Sequence, residues 1–250
     1  METPGATPPQ LPSSSRSGEW PLGWHVSVVQ ETGSTNADLL QAAAAGAPDR
    51  TVLMARHQSA GRGRLDRRWE APAGENLLVS MLFRDVPQSP HVLTQRVGLA
   101  AISACQRVAG AKPMLKWPND LLLGGAKLAG ILAQASLGTA PVVVVGIGLN
   151  IGWAPEGSAC LGAGIDPLEL LSAVLAAYDE LPADVWLQYR QHLGTLGRTV
   201  RVELPDGELE GRALDVELER GDFFPLMDRQ PADAGIQHAL GDLRSIGFRH

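Results

Sequence analysis

Four arginines, Arg62, Arg64, Arg67 and Arg68, fall within the short segment GRGRLDRRW at positions 61–69. A guanidinium is a planar, permanently charged fork that suits phosphate and carboxylate groups. Gly61 and Gly63 let the backbone approach a ligand closely and reach conformations that other residues avoid. The segment therefore reads as a loop able to clamp an anion, with Trp69 available to stack on a nucleobase. It reads equally as a solvated charged loop or an arginine–glycine patch for nucleic acid, and alone it does not choose among these. Two familiar nucleotide motifs are missing: no GxxxxGK[ST] stretch occurs, and GRGRLD carries Asp66 where GxGxxG needs its last glycine. A nucleotide bound here is held in some other way.

Four further segments carry polar groups in suggestive places. KWPND (116–120) ends a short apolar run, fixes a turn at Pro118 and projects Asn119 and Asp120 beyond it. Asp120 could hold Mg²⁺ or accept hydrogen bonds from a polar ligand head, although Pro-Asn-Asp is also ordinary turn chemistry. Lys127 opens the otherwise apolar KLAGIL (127–132). Pointing outward it is an edge residue; pointing inward it needs an anionic partner to offset its desolvation, such as a phosphate or a ligand carboxylate. Ser34, Thr35 and Asn36 stand at a helix start, where they serve as caps and can also present hydroxyls and free N–H groups to a ligand. GIGLN (146–150) closes an apolar strand with two glycines and Asn150, at a strand end of the kind that often faces a ligand crevice.

These segments need elements to hold them. Residues 24–29 alternate like a short strand, and Thr35 with Asp38 has capping-box spacing, so a helix is predicted over about 35–45 with Leu39, Leu40 and Ala43 on its apolar face. Strands are predicted at 51–58, 76–84 and 114–117, with a helix over 90–109 whose face is Val97, Ala101, Ala104, Cys105 and Val108. Gly124-Gly125 marks a hairpin, with the second strand running from Lys127. The β-branched run at 141–152 predicts a central strand buried on both faces. Asp166 and Pro167 open another helix, with Asp166 as N-cap and Leu168, Leu171, Leu175 and Tyr178 as the buried stripe, and a further helix runs to about Gly194. After Gly197 the texture changes to short strands joined by turn dipeptides, as in a small β-barrel.

Bulk properties exclude several classes. The formal charge of -6 argues against a general polyanion binder. Cys105 and Cys160 match no disulfide framework or metal spacing, so a reducing cytoplasm is expected. No apolar run approaches the ~20 residues of a membrane helix. The first 19 residues, rich in Pro, Ser and Gly, read as a disordered tail rather than a secretory signal.

Taken in order, ETGSTN, RHQSAGRGRLDRRW, NLLVSM, KWPNDLLL, KLAGIL and GIGLNIG, followed by a small β-domain, resemble the biotin–protein ligases from about residue 24 to 247. The GRGR and KWPND segments are the most specific. The resemblance implies an α+β fold: a mixed-sheet catalytic domain of the class II synthetase-like biotin/lipoate ligase type over 20–196, then an SH3-like barrel over 197–250. It implies that ATP activates biotin to biotinyl-5′-AMP, which then labels a lysine of the biotin carboxyl carrier protein of acetyl-CoA carboxylase, with Mg²⁺ as metal cofactor.

By the same resemblance Ser34, Thr35, Asn36, Gln58, Gly61, Arg62, Lys127 and Gly130 meet biotin. Arg64, Arg67, Trp69, Asn119, Asp120, Lys127, Asn150 and Arg244 serve the nucleotide, with Asp120 also on the Mg²⁺ side. Lys127, Arg64 and Asp120 form the catalytic set, and Asp120 is a candidate to assist the attacking amine. Asp66 departs from the family, replacing a glycine often found in the GRGR loop. The stretch before the catalytic segment is too short for a helix-turn-helix domain, so no specific DNA binding is expected. Family members include monomers and homodimers. A lipoate–protein ligase, a non-catalytic biotin or nucleotide sensor and an RNA-binding module are the competing readings. The acidic chain and the scarcity of aromatics in the arginine loop count against RNA.

Overall fold

The apolar run after Pro141 becomes the middle strand of a seven-stranded sheet, as its β-branched composition requires. The computed structural model describes residues 20–64, 67–136, 140–204, 207–219, 222–228 and 247–249. The expected tail at 1–19, Asp66 and Arg244 lie outside the described residues.

In chain order the elements of the larger unit are β1 (His25–Thr32), α1 (Thr35–Ala44), β2 (Thr51–Gln58), β3 (Leu77–Phe83), α2 (His91–Ala109), β4 (Met114–Lys116), β5 (Asp120–Leu123), β6 (Ala126–Ser136), β7 (Val142–Leu149), α3 (Pro167–Glu180) and α4 (Trp186–His192). The sheet order is β1-β2-β3-β7-β6-β5-β4. Only β1 and β2 pair in parallel; the other neighbours are antiparallel. Two residues, Gly124 and Gly125, join β5 to β6 with φ of 61° and 88°. Two successive left-handed residues are what a tight hairpin turn demands, and glycine supplies them without steric cost.

One face of the sheet carries α2 and α3. Val97, Ala101, Ala104 and Cys105 of α2 and Leu170, Leu171, Val174 and Leu175 of α3 join Val79, Met81, Val143, Val145 and Ile147 in the main core. Trp24 packs edge-on against Phe83 and Tyr178, tying the start of β1 to β3 and α3. The other face carries α1, whose Leu39, Ala42 and Ala43 pack with Leu53, Leu82, Val142 and Val144 in a second cluster. Beyond the N-terminus of α1 that face is left open, and the functional cavity lies there.

Helix starts correct two sequence expectations. Ser34, not Thr35, is the N-cap of α1, with no side-chain cap bond. Asp38 instead accepts a hydrogen bond from the Thr32 hydroxyl, so the capping-box spacing serves a contact to β1. Asp166 does cap α3, accepting from Leu168 N at 2.9 Å, with Pro167 in the first turn. The buried stripe of α3 is centred on Leu171, Val174, Leu175 and Tyr178, which leaves Leu168 only partly buried at its flank.

Past Gly197 a second sheet follows. Strands β8 (Thr199–Leu204), β9 (Gly207–Glu219), β10 (Asp222–Asp228) and β11 (Gly247–Arg249) are antiparallel in the order β10-β9-β8-β11. The linker before it is docked rather than loose. Leu193 bridges to Leu115, Gly194 N donates to Leu115 O at 2.8 Å, and Trp117 N donates to Thr195 Oγ1 at 3.3 Å.

Candidate active site

A cavity of about 290 Å³ opens on the α1 side of the sheet. Its floor is made by residues that alternate to one face of β6 and β7. Gly130 pairs with Gly148, and Leu132 with Gly146. The absence of side chains on three of these four positions leaves room above the sheet. Trp69 lies directly on this floor. A Cβ at Gly148 would come within 2.6 Å of its Nε1, and one at Gly130 within 3.1 Å of its Cζ3. The indole N–H is buried without a hydrogen-bond partner, so this wall of the cavity keeps an unused donor.

A β-bulge places the charged groups over the floor. Along β5 and β6 the register shifts between Leu121 and Leu122, so Asp120 faces Gly130 while Leu122 faces Lys127. Opposed residues of a pleated pair share a face. Lys127 and Gly130 lie three positions apart and would otherwise point to opposite sides; the extra residue on β6 brings both to the cavity. Lys127 Nζ consequently meets Asp120 Oδ1 at 2.7 Å and stands 5.7 Å from the Trp69 ring centroid. The inward lysine therefore has an anionic partner within the protein, where the sequence reading looked to a ligand for one.

The arginine segment forms a hairpin-like loop beside them. Gly63 N donates to Arg67 O at 2.7 Å and Trp69 N to Gly61 O at 3.0 Å, while Arg62 and Arg68 form an isolated bridge. Gly61 sits beneath the loop rather than on the cavity wall, and a Cβ there would strike the carbonyl of Trp69. Arg64 reaches inward, donating to Asn119 Oδ1 at 3.3 Å. Asn119 donates in turn to Ile131 O at 3.0 Å, which fixes its carboxamide and leaves Oδ1 toward the arginine. Burial pulls the Arg64 guanidinium below its ordinary range; the Asp120 carboxylate raises it in part and Arg67 lowers it further. Lys116, also on the wall, is lowered by burial, with Asp120 countering and Lys127 and Arg67 adding to the effect.

At the other end the walls are polar and neutral. Gln58 Oε1 accepts from Thr35 N at 2.8 Å. Asn36 Nδ2 donates to Leu132 O at 3.2 Å and to Gln134 Oε1 at 2.8 Å, so its Oδ1 faces Ser80 and accepts from Ser80 Oγ at 2.6 Å. With the Ser80 proton committed there, the single Thr35 hydroxyl proton is shared between Ser80 Oγ at 2.7 Å and Gln58 Oε1 at 3.2 Å. A chain of one-way hydrogen bonds thus sets the rotamers around this end.

Ser34, Thr35, Asn36, Gln58, Arg62, Arg64, Arg67 and Trp69 all line the one cavity, as do Asn119, Asp120, Lys127, Gly130 and Asn150. Lys116 of KWPND and the two glycines of GIGLN, Gly146 and Gly148, line it as well, together with Ser80, Pro155 and Ser158, which the sequence did not single out. The alternation of glycines in GIGLN was the signal that could have found the floor.

The sequence model of the biotin/lipoate A/B protein ligase family matches residues 28–151. A biotin–[acetyl-CoA-carboxylase] ligase of Mycobacterium tuberculosis is 40% identical over 219 residues, covering 78% of this chain and 81% of that one. The chain belongs to the biotin–protein ligase family. Another family member, from Paracoccus denitrificans, is 34% identical over 184 residues, covering 68% of this chain and 75% of that one. Among solved folds, the Aquifex aeolicus biotin protein ligase in complex with biotin and ATP superposes with a TM-score of 0.67 at 22% identity, covering 90% of this chain and 98% of that one. The mixed sheet with its flanking helices is thus the family's catalytic fold. Among the described residues no helix is long and apolar enough to cross a membrane, and no group of three or more His, Cys, Asp or Glu could hold a metal ion.

Proposed function

We propose that this ligase activates biotin with ATP to biotinyl-5′-AMP and then transfers biotin to a lysine of the biotin carboxyl carrier protein of acetyl-CoA carboxylase. The observation that carries this reading is the cavity in which Lys127 and Arg64 converge over a glycine floor, with neutral polar groups at one end and cations at the other. A biotin-sized ring system with a carboxylate tail suits that polarity. The names of the relatives, aligned over most of the chain, support the same substrates.

In the first step a carboxylate oxygen of biotin bonds to the α-phosphorus of ATP, the bond from that phosphorus to the bridging oxygen breaks, and pyrophosphate leaves. Both reactants are anionic. Lys127 and Arg64 lower the repulsion and stabilise charge on the phosphoryl oxygens in a site where such donors need no reorganisation. Arg67 and Trp69 hold the nucleotide, while Ser34, Thr35, Asn36 and Gln58 orient the ureido ring, with Arg62 beside them and Gly130 leaving room; Gly61 contributes from beneath, where its lack of a side chain lets the loop pack on the Trp69 carbonyl. Asn119 keeps Arg64 in place, and Asn150 stands on the nucleotide side. The GRGR loop covers the mixed anhydride and keeps water away. In the second step the carrier's neutral amine attacks the acyl carbon and AMP departs; in this reading Asp120 takes the proton. Asp120 and Glu70 are the carboxylates on the wall, too few for a protein cage; a Mg²⁺ bound there would be shared with the substrate phosphates, with Asp120 as its protein ligand. We assign residues 20–196 to the catalytic unit and 197–250 to a separate SH3-like unit, on the change of sheet after Gly197.

The test is pyrophosphate release on adding biotin, then lipoate, to the protein with ATP, followed by transfer of labelled biotin to a carrier domain. Release with biotin and labelling of one carrier lysine are expected. Release with lipoate alone makes the chain a lipoate ligase, and binding of biotin without release makes it a sensor.

A further inference from the structure

Two buried asparagines, distant in sequence, share a hydrogen bond beside this site. Asn76 is 1% exposed, stands just before β3 and lies off the cavity wall; Asn150 is 2% exposed, follows β7 and lies on it. Their bonds admit one orientation. Asn76 Oδ1 accepts from the backbone N–H of Ile151 at 3.0 Å and of Trp153 at 3.4 Å. Those groups can only donate, so the oxygen faces them, and Asn76 Nδ2 donates to Asn150 Oδ1 at 3.2 Å. The Asn150 Nδ2 is thereby aimed at the carbonyls of Ala159, at 3.0 Å, and Lys127, at 3.5 Å, which can only accept. Backbone bonds close the same ring: Ala159 N donates to Lys127 O at 2.9 Å and Leu161 N to Asn150 O at 3.2 Å. The segment 153–161, which puts Pro155 and Ser158 on the cavity wall, is stapled through Asn150 to the backbone of Lys127.

We propose that Asn76 is a positioning residue for the nucleotide side of the cavity: by orienting the Asn150 carboxamide it holds segment 153–161 against Lys127 and sets that wall. The assignment rests on the reading of the cavity as a site for ATP and biotin. It identifies a residue that touches neither substrate yet governs one of them. The conservative change Asn76→Asp separates this role from mere packing. Its size is unchanged and one oxygen still accepts from Ile151 and Trp153. The second oxygen, however, now opposes Asn150 Oδ1. Asn150 then turns over and sets its own oxygen against two carbonyls, a mismatch of buried polar groups.

Steady-state adenylation, biotin calorimetry and hydrogen exchange test it in the full chain. For Asn76→Asp, KM for ATP rises about ten-fold or more, in line with one mispaired buried amide. The dissociation constant for biotin stays within about two-fold, and the amides of 159–162 exchange faster. In an Asn150→Ala background the same substitution adds less than about two-fold, because its partner is gone. An unchanged KM for ATP, equal losses for ATP and biotin, or the same factor in both backgrounds overturns the proposal. Should Asn76→Asp fail to fold, Asn150→Ala alone decides: it must raise KM for ATP and spare biotin affinity, and a parental KM overturns the assignment. A parent protein that releases no pyrophosphate with biotin and ATP refutes the functional reading itself, an outcome distinct from an active parent with indifferent variants.

Discussion

Lys127 and Asp120 are 2.7 Å apart, with side chains 40% and 19% exposed, so the lysine is held in place but still reachable by a ligand. A pair this exposed contributes little to folding, and the role proposed for Lys127 is to meet a phosphoryl group. Lys127→Ala is expected to lower adenylation by ~10²–10³, the loss typical of one preorganised donor, with little change in Tm. Pyrophosphate release measures it, and a rate near the parent's removes Lys127 from the chemistry. Asp120 is the counter-ion of Lys127, and the proposal gives it a second, separable role as proton acceptor for the attacking amine. Asp120→Asn keeps the shape and loses the charge. Transfer from preformed biotinyl-AMP to a carrier domain is expected to slow by ~10²-fold, the lower range for a general base. A parental transfer rate with impaired adenylation confines Asp120 to holding the lysine.

The strand pair β6–β7 does the most for the site. Its glycines remove side chains where the floor must be flat, and the bulge beside Lys127 turns that residue to the same side as Gly130. Gly148→Ala tests the floor directly. A Cβ there would stand 2.6 Å from Trp69 Nε1 and closer still to the ring fusion, so the indole has to move. Overpacking of this kind costs about 1–3 kcal/mol. The expected result is altered tryptophan emission and a KM for ATP raised by about ten-fold; unchanged emission and KM mean that the indole does not rest on Gly148 in solution. The elements themselves were legible. The strand expected at 51–58 is Thr51–Gln58, and the Gly124-Gly125 hairpin falls where the dipeptide placed it. Periodicity reads such features because they depend on neighbours in sequence. The bulge was not legible, since KLAGIL carries no mark of an extra residue against its partner. Ser80 and Asn76 were missed for a related reason. Their roles come from partners on other elements: Ser80 meets Asn36 across 44 positions, and Asn76 meets Asn150 across 74.

Across the whole molecule, the linker from α4 to the second sheet runs along β4, the edge of the catalytic sheet, and so touches the strand that leads into KWPND. Arg190 grips Asp215 with two nitrogens at 2.8 and 2.9 Å, and Gly197 N donates to Ala213 O at 2.7 Å, so the second sheet is tied to the same stretch. Texture in the sequence predicts a change of unit near 195–198, but it carries no sign that this stretch packs along β4. Thr195, 6% exposed, is the joint: its hydroxyl accepts from the backbone of Trp117, two residues before Asn119. Thr195→Val keeps the shape and removes that acceptor. One such bond is worth about 1 kcal/mol, so a lower Tm is expected, but a loss of stability alone leaves catalysis per folded molecule untouched. The geometry requires more. Trp117 leads through Pro118 to Asn119, whose Oδ1 accepts from Arg64, so the valine variant is expected to raise KM for ATP about three-fold or more at temperatures where it is fully folded. Thr195→Ser, which restores the hydroxyl, returns KM to the parental value. A valine variant with lower Tm and parental KM would show that the linker supports the fold without reaching the catalytic loop.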